Sequence, residues 1–288
     1  MRRGVVCICL SAFGFALMAM FVRLADDFGS PLPAVQKAFF RNLVAVAVAL
    51  PAFLRVRRGG AAIRAGGMSA GDWTVLVLRA LFGTLGIFAN FYAISAIPIA
   101  DAMALNKTAP FFTLVACWAF MGERMNLRQA LCVVGAFLGA MLVVKPGFSG
   151  GLTVPALVGL ASGAFAGLAY ALLHRLGRRG VDGAFVILFF SAFSCAACLP
   201  FFASGSYVAM TGAQVATLCG AGAGAAIGQF GITWAYRFAE PRQIAVYDYT
   251  GLVFAAVLGF LAFGQIPDAA SCIGCAVIVA MAILRSGR

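Results

Sequence analysis

Ten apolar stretches fill almost the whole chain, and the second five repeat the pattern of the first five. A helix needs about 20 apolar residues to cross a bilayer. The stretches at 5–24, 33–54, 73–96, 99–120, 127–144, 153–174, 184–203, 211–236, 241–263 and 268–285 come close to that length. A unit with an odd number of spans, repeated once, stands upside down relative to its partner. Inverted repeats of this kind build secondary transporters, whose substrate site lies near the midplane where the halves meet. The expected fold is all-α and integral to the membrane: ten transmembrane helices as two inverted five-helix repeats, 1–146 and 147–288.

Charge supports this reading. Only 10% of the 288 residues are charged and 63% are hydrophobic. A soluble domain is nearer a quarter charged, so lipid must solvate most of the outside. The formal net charge of +12 comes from 21 Lys and Arg against 9 Asp and Glu. The bases fall in short loops between apolar stretches, which points to topology rather than to nucleic acid. With the N-terminus in the cytoplasm, that side holds Arg2, Arg3, Arg55, Arg57, Arg58, Arg64, Arg124, Arg128, Arg175, Arg178, Arg179, Arg237, Arg242, Arg285 and Arg288. The opposite side keeps only Arg23 and Lys145, with Asp26, Asp27 and Asp268. The expectation is an inner-membrane, multi-pass protein with both termini cytoplasmic, its first apolar run a retained helix rather than a cleaved signal.

The repeat can be read residue by residue. An offset of 142 places Gly86 on Gly228, Ala93 on Ala235, Thr108 on Thr250, Phe112 on Phe254, Val115 on Val257 and Gly122 on Gly264. An offset of 152 places Phe13 on Phe165, Ala19 on Ala171, Arg23 on Arg175 and Leu24 on Leu176. Arg23 then lies outside and Arg175 inside, as inversion requires.

Three segments resemble the drug/metabolite transporter superfamily, and within it the EamA-type proteins: Ala38 to Ala45, Arg79 to Ala102, and Ala109 to Met125 with its Gly122-Glu123-Arg124 ending. The second half departs from the pattern, with Gly264-Gln265 where the family often has Gly-Glu and Leu252 where Pro110 stands. The resemblance implies a ten-helix carrier that moves small organic molecules by alternating access, among them amino acids, nucleotide-like metabolites, choline-like cations and sugars.

Charges within the bilayer cost roughly 2.5–3.5 kcal/mol each on insertion scales, so they need partners or a wet cavity. Lys37, Arg79 and Asp101 lie within two turns of an expected helix end and read as interfacial anchors. Arg41, with Asn42 beside it, is deeper and either binds an anionic group or ties helices together. Lys107 and Asp248 are deeper still, each about eight residues into a helix. The repeat offset pairs Asn106 with Asp248 and Lys107 with Tyr249, so polar positions recur at equivalent depth. Two readings stand open: a structural bond across the repeat interface, or a cargo site in which Asp248 faces an ammonium or a coupling proton and Lys107 faces a carboxylate or phosphate. Aromatic residues gather around this pair: Tyr247, Tyr249, Tyr170, Trp234 and Tyr92, with Asn90 close to the last. An aromatic wall with one acid suits a flat or cationic ligand. Trp73, Tyr207 and Tyr236 fit an interfacial belt.

Glycine stripes at Gly159, Gly163 and Gly167 and at Gly220, Gly224 and Gly228 allow close helix approach, either as static packing or as a rocking contact. The 9 cysteines lie in apolar runs, and the CxxC pairs Cys195/Cys198 and Cys272/Cys275 fall mid-helix, so no metal or cofactor is expected. His174 adjoins Arg175, Arg178 and Arg179 and reads as interfacial. With no nucleotide loop, metal cluster or activated nucleophile, an enzyme is not expected. The expected cargo is a small amino-acid-like molecule, zwitterionic or aromatic, moved outward. A nucleotide-like or flat cargo (S-adenosylmethionine, a riboflavin-like vitamin) is the alternative within transport, and a membrane scaffold or receptor without flux is the alternative of another class. Expected partners are the small-molecule substrate, a coupling proton as an option, and lipid; nucleic acid is not among them, and the chain is expected as a monomer or weak homodimer.

Overall fold

A computed structural model describes residues 2–59, 63, 67–96, 103, 105–144, 154–205, 207–264 and 268–286. Arg64, Pro98, Asp101, the Lys145-Pro146-Gly147 run, Gln265, Pro267 and Arg288 lie outside them, as does the side chain of Arg285. The described residues contain helices and no strand. In chain order these are α1 (Arg2–Asp27), α2 (Ala34–Arg58), α3 (Ala70–Ala96), α4 (Ala109–Met121), α5 (Leu127–Val144), α6 (Val154–Arg178), α7 (Gly183–Ala203), α8 (Gly212–Phe238), α9 (Pro241–Phe263, interrupted) and α10 (Ala269–Ser286). Eight are long and apolar enough to cross a membrane; α4 and α10 are shorter apolar helices. Large apolar side chains such as Val115, Trp118, Phe120, Leu131, Leu138 and Leu261 face outward, as a lipid-solvated surface requires.

Helix pairing follows a rule. α1 packs along α8, and α3 along α6. α4 packs on α6, and α9 on α1. α2 packs on α8, and α7 on α3. Adding five to each member of the first pair, modulo ten, gives the second. The two remaining large contacts, α2 with α7 and α5 with α10, map onto themselves.

The same correspondence governs local structure. Gly122 and Gly264 end α4 and α9 in the left-handed conformation, at φ 68° and 63°. Their N–H groups cap equivalent carbonyls, Cys117 and Trp118 in one case and Gly259 and Phe260 in the other. Glycine is favoured there because a side chain would crowd the backbone. Both helices are also interrupted upstream. Lys107 and Thr108 form a turn before Ala109–Met121, and Ala245–Tyr249 is wound as a 3-10 stretch before Thr250–Phe263. In the first half the cause is Pro110. Its ring would collide with the Asn106 carbonyl in a continuous helix, so the helix restarts with proline in its first turn. Leu252 replaces that proline in the second half. There the Thr250 hydroxyl donates to the Tyr247 carbonyl at 2.7 Å, and Thr108 does the same to Leu105 at 2.5 Å. Such back-bonding bends helices.

The glycine stripes make close backbone packing. A Cβ on Gly163 would lie 2.7 Å from the Leu105 carbonyl oxygen, and one on Gly167 would lie 2.8 Å from that of Ala109. The α6 stripe therefore presses directly on the interrupted part of α4. On α8, Cβ atoms at Gly224 and Gly228 would meet the α1 backbone at Met18 and the ring of Phe15, at 2.8 and 2.7 Å.

Polar ties gather at the two ends of the bundle. At the end carrying the N-terminus, Glu123 accepts from His174 Nε2 at 2.9 Å and from Arg178 at 3.2 Å, Arg179 pairs with Asp72 at 2.7 Å, and Arg242 donates to the Arg124 carbonyl at 2.6 Å. At the other end Lys37 pairs with Asp26 at 2.7 Å, Gln36 bonds both ways with the Val208 backbone, and Gln214 donates to the Ala25 and Ser30 carbonyls. His174 belongs to the layer with Glu123 and is buried there, its Nδ1 against the Tyr236 carbonyl at 2.7 Å. One aromatic reading is corrected. Tyr236 is also buried and stacks on Tyr170 at 5.7 Å, whereas Trp73 and Tyr207 are exposed as a belt would be.

Candidate functional site

Between the two polar layers lies a cavity of about 210 Å³. Its wall takes Phe15 and Met18 from α1, Arg41 from α2, Arg79, Gly83, Gly86 and Asn90 from α3, Tyr170 from α6, Phe190 from α7 and Gln229 from α8. Asn106, Lys107 and Asp248 enter from the interrupted parts of α4 and α9. A larger recess of about 420 Å³ opens beside α4, lined by Phe111, Leu114, Val115, Cys117, Trp118 and the Glu123–Met125 loop with Arg242. That recess is mainly apolar and flanks outward-facing Val115 and Trp118. The central cavity, though smaller, is the one where charged groups converge.

The interruptions position the central pair. Lys107 Nζ lies 3.4 Å from Asp248 Oδ2 and 3.5 Å from the Asp248 carbonyl oxygen. A tight ammonium–carboxylate contact is about 2.7–2.9 Å, so this pair is loosely closed. Both side chains keep about a fifth of their surface accessible, 22% and 20%. The Tyr249 hydroxyl donates to the Lys107 carbonyl at 3.1 Å, which the turn has freed from the helix ladder. Asn106 donates to Ser162 Oγ at 3.1 Å, and Ser162 donates to the Gly159 carbonyl at 2.6 Å, so α6 holds the turn from below.

Of the ten residues singled out from the sequence, Arg41, Asn90, Asn106, Lys107, Tyr170 and Asp248 line the cavity. Tyr247 and Tyr249 are buried in the core beside it and support it from behind. Tyr92 and Trp234 do not reach it. They are 49% and 42% exposed on the outer surface, and Trp234 packs edge-on against Phe230. They are equivalent under the 142 offset, and both point outward.

Arg79 is the main correction. Read as an anchor, it is 2% exposed and lines the cavity. Its guanidinium lies over the Phe190 ring, 4.3 Å from the centroid, and its Nη2 is 3.5 Å from Gln229 Oε1. Helix α3 starts at Ala70, three residues earlier than expected. The start is capped by Ser69 and Asp72, whose side chains bond each other's backbone N–H at 2.9 and 3.2 Å. From that start Arg79 is more than two turns inside. Gln229 and Phe190 carried no sequence signal that set them apart, whereas the Ser69-x-x-Asp72 box did mark the earlier helix start.

Comparison with known proteins agrees with this architecture. A family model described as the EamA-like transporter family matches residues 2–145. The pseudopaline exporter CntI of Pseudomonas aeruginosa is 30% identical over 286 residues, covering 99% of this chain and 96% of that protein. A riboflavin transporter of Brucella anthropi is 28% identical over 255 residues, 86% of each chain. An S-adenosylmethionine uptake transporter of Rickettsia felis is 23% identical over 277 residues, 94% of this chain and 90% of its own. A crystal structure with 19% sequence identity superposes with a TM-score of 0.75 over 96% of both chains, which shows a shared fold. The chain therefore belongs to the EamA-like transporter family and is a multi-pass membrane transporter.

Proposed function

We propose that the chain is a secondary carrier that moves a small amino-acid-like metabolite by alternating access, with export as the leading direction and the central cavity as its cargo site. The single observation that carries this reading is the meeting of two interrupted helices, one from each half, at a charged cavity walled by both halves. Discontinuous helices at a repeat interface are where carriers of this architecture hold their substrates. In this reading residues 1–146 and 147–288 are inverted repeats of five spans each, and α4 and α10 complete the ten. The self-consistent helix pairing and the matched Gly122 and Gly264 caps support that division. The family match, which ends at residue 145, falls beside the proposed boundary. The cytoplasmic placement of both termini rests on the Lys and Arg bias.

Asp248 and Asn90 supply acceptors for an ammonium group, and Lys107 supplies a cation for a carboxylate; Tyr170 provides an aromatic wall. Asp248 is also the group in the cavity suited to carry a coupling proton. A cavity of 210 Å³ is below the roughly 300–1,000 Å³ of sites for drug-sized ligands. It favours an amino-acid-sized cargo. A flat cargo is the second reading, favoured by relatives whose names carry riboflavin and S-adenosylmethionine. The test is flux. Purified protein in sealed liposomes preloaded with an unlabelled amino acid should accumulate its labelled counterpart by exchange. Binding without exchange across amino-acid, nucleoside and vitamin panels would instead mark a receptor or scaffold.

A further inference from the structure

Among the described residues, the cavity carries more positive charge than its acids neutralise. Lys107 faces Asp248, but Arg41 and Arg79 also line the same space. Arg79 is 2% exposed and Arg41 6%. The Nε of each is buried without a hydrogen-bond partner among the described residues. No described carboxylate forms an ion pair with either. Among the described residues, three cations against one acid line the cavity, a balance of +2.

Two features hold Arg79 in place without neutralising it. Phe190 supports one face of the guanidinium, and Gln229 accepts one N–H. Gly83 leaves room beside it: a Cβ there would lie on Arg79 Nη1 and 2.7 Å from the Phe190 ring. The guanidinium is thus packed and aimed, with donors unspent. Buried ions in such a state are costly, and two like charges in one small cavity repel. A guanidinium presents a planar fork matched to carboxylate and phosphate.

We propose that Arg41 and Arg79 form an anion subsite separate from the Lys107–Asp248 pair, and that the cargo carries more anionic groups than amines: an amino dicarboxylate or a phosphorylated amino acid rather than a neutral zwitterion. The proposal rests on the cavity being the cargo site. In this arrangement Asp248 and Asn90 take the ammonium, Lys107 takes the α-carboxylate, and the arginines take the second anion.

The test uses the full chain in lipid nanodiscs, titrated calorimetrically with L-glutamate against L-glutamine and with O-phospho-L-serine against L-serine. One acid should bind at least about tenfold more tightly than its neutral counterpart, as expected for a charge-assisted contact in a buried site. The glutamate and phosphoserine arms separate carboxylate from phosphate. Arg41→Gln and Arg79→Gln should each bring the ratio of acid to neutral affinity down to about one. Equal affinities, absence of acid binding, or a preference that survives both substitutions would overturn the subsite. The wild-type comparison decides the matter even if a variant does not fold. Exchange in liposomes separates this proposal from the carrier reading. Acid-selective binding without exchange sinks the carrier and leaves the subsite, whereas exchange of neutral amino acids without acid preference sinks the subsite and leaves the carrier.

Discussion

The Lys107–Asp248 contact can be tested as a pair. At 3.4 Å, with an effective dielectric near 20, their gross attraction is about 5 kcal/mol. A fifth of each side chain is accessible, so water in the cavity screens part of that. A net coupling of about 1–3 kcal/mol is expected, within the range measured for contacting residues. Asp248→Asn alone leaves Lys107 in a cavity already holding two guanidinium groups, so it should lower the unfolding temperature in detergent and abolish exchange. Lys107→Gln alone should destabilise less, because the remaining Asp248 still feels Arg41 and Arg79. The double variant removes both charges. If the pair only tied the halves together, the double variant would recover both stability and exchange. If it belongs to the cargo site, stability should return by the coupling energy while exchange stays absent. A double variant that exchanges amino acids at the wild-type rate would refute the assignment of either residue to cargo.

Further outcomes follow from other contacts. Gly167→Ala should cost about 1–3 kcal/mol in unfolding experiments, because its Cβ would press into the Ala109 carbonyl at 2.8 Å; an unchanged unfolding temperature would show that α6 and α4 can separate freely. Glu123→Ala removes the acceptor shared by His174 and Arg178, and should speed maleimide labelling of buried Cys117 in the adjoining recess; unchanged labelling would mean that this tie does not close that end. A cysteine placed at Arg57 should react with an impermeant reagent only in inside-out vesicles, and one at Ser30 only in intact cells. The reverse pattern would invert the topology.

Element number and spacing were legible because breaks between spans are chemical events: Asp26-Asp27, Gly122-Glu123 and Pro241 interrupt apolar runs that lipid demands elsewhere. The 142 offset read from the sequence also pairs positions of like local role, Thr108 with Thr250 and Gly122 with Gly264. What was hidden was facing. In a soluble helix the apolar stripe marks the core, but here lipid-facing and core-facing sides are equally apolar, so no periodicity separates them. Tyr92 and Trp234, paired by the offset, both lie on the outer surface, a side the sequence could not assign. Arg79 shows a different failure: a three-residue error in the start of α3 turned a buried cavity group into an apparent anchor.

The interruptions of α4 and α9 have a mechanical consequence. Lys107 lies in one joint and Asp248 in the other, and neither belongs to the rigid leg on either side. A 3-10 stretch has poorer hydrogen-bond geometry than the α-helix it replaces, so it is the compliant part of its span. A load applied to Asp248 therefore acts at an elbow, where a small torsion swings the whole Thr250–Phe263 forearm. Gly264 lies at the end of the longer arm of α9, 14 residues against the 4 of Pro241–Ile244.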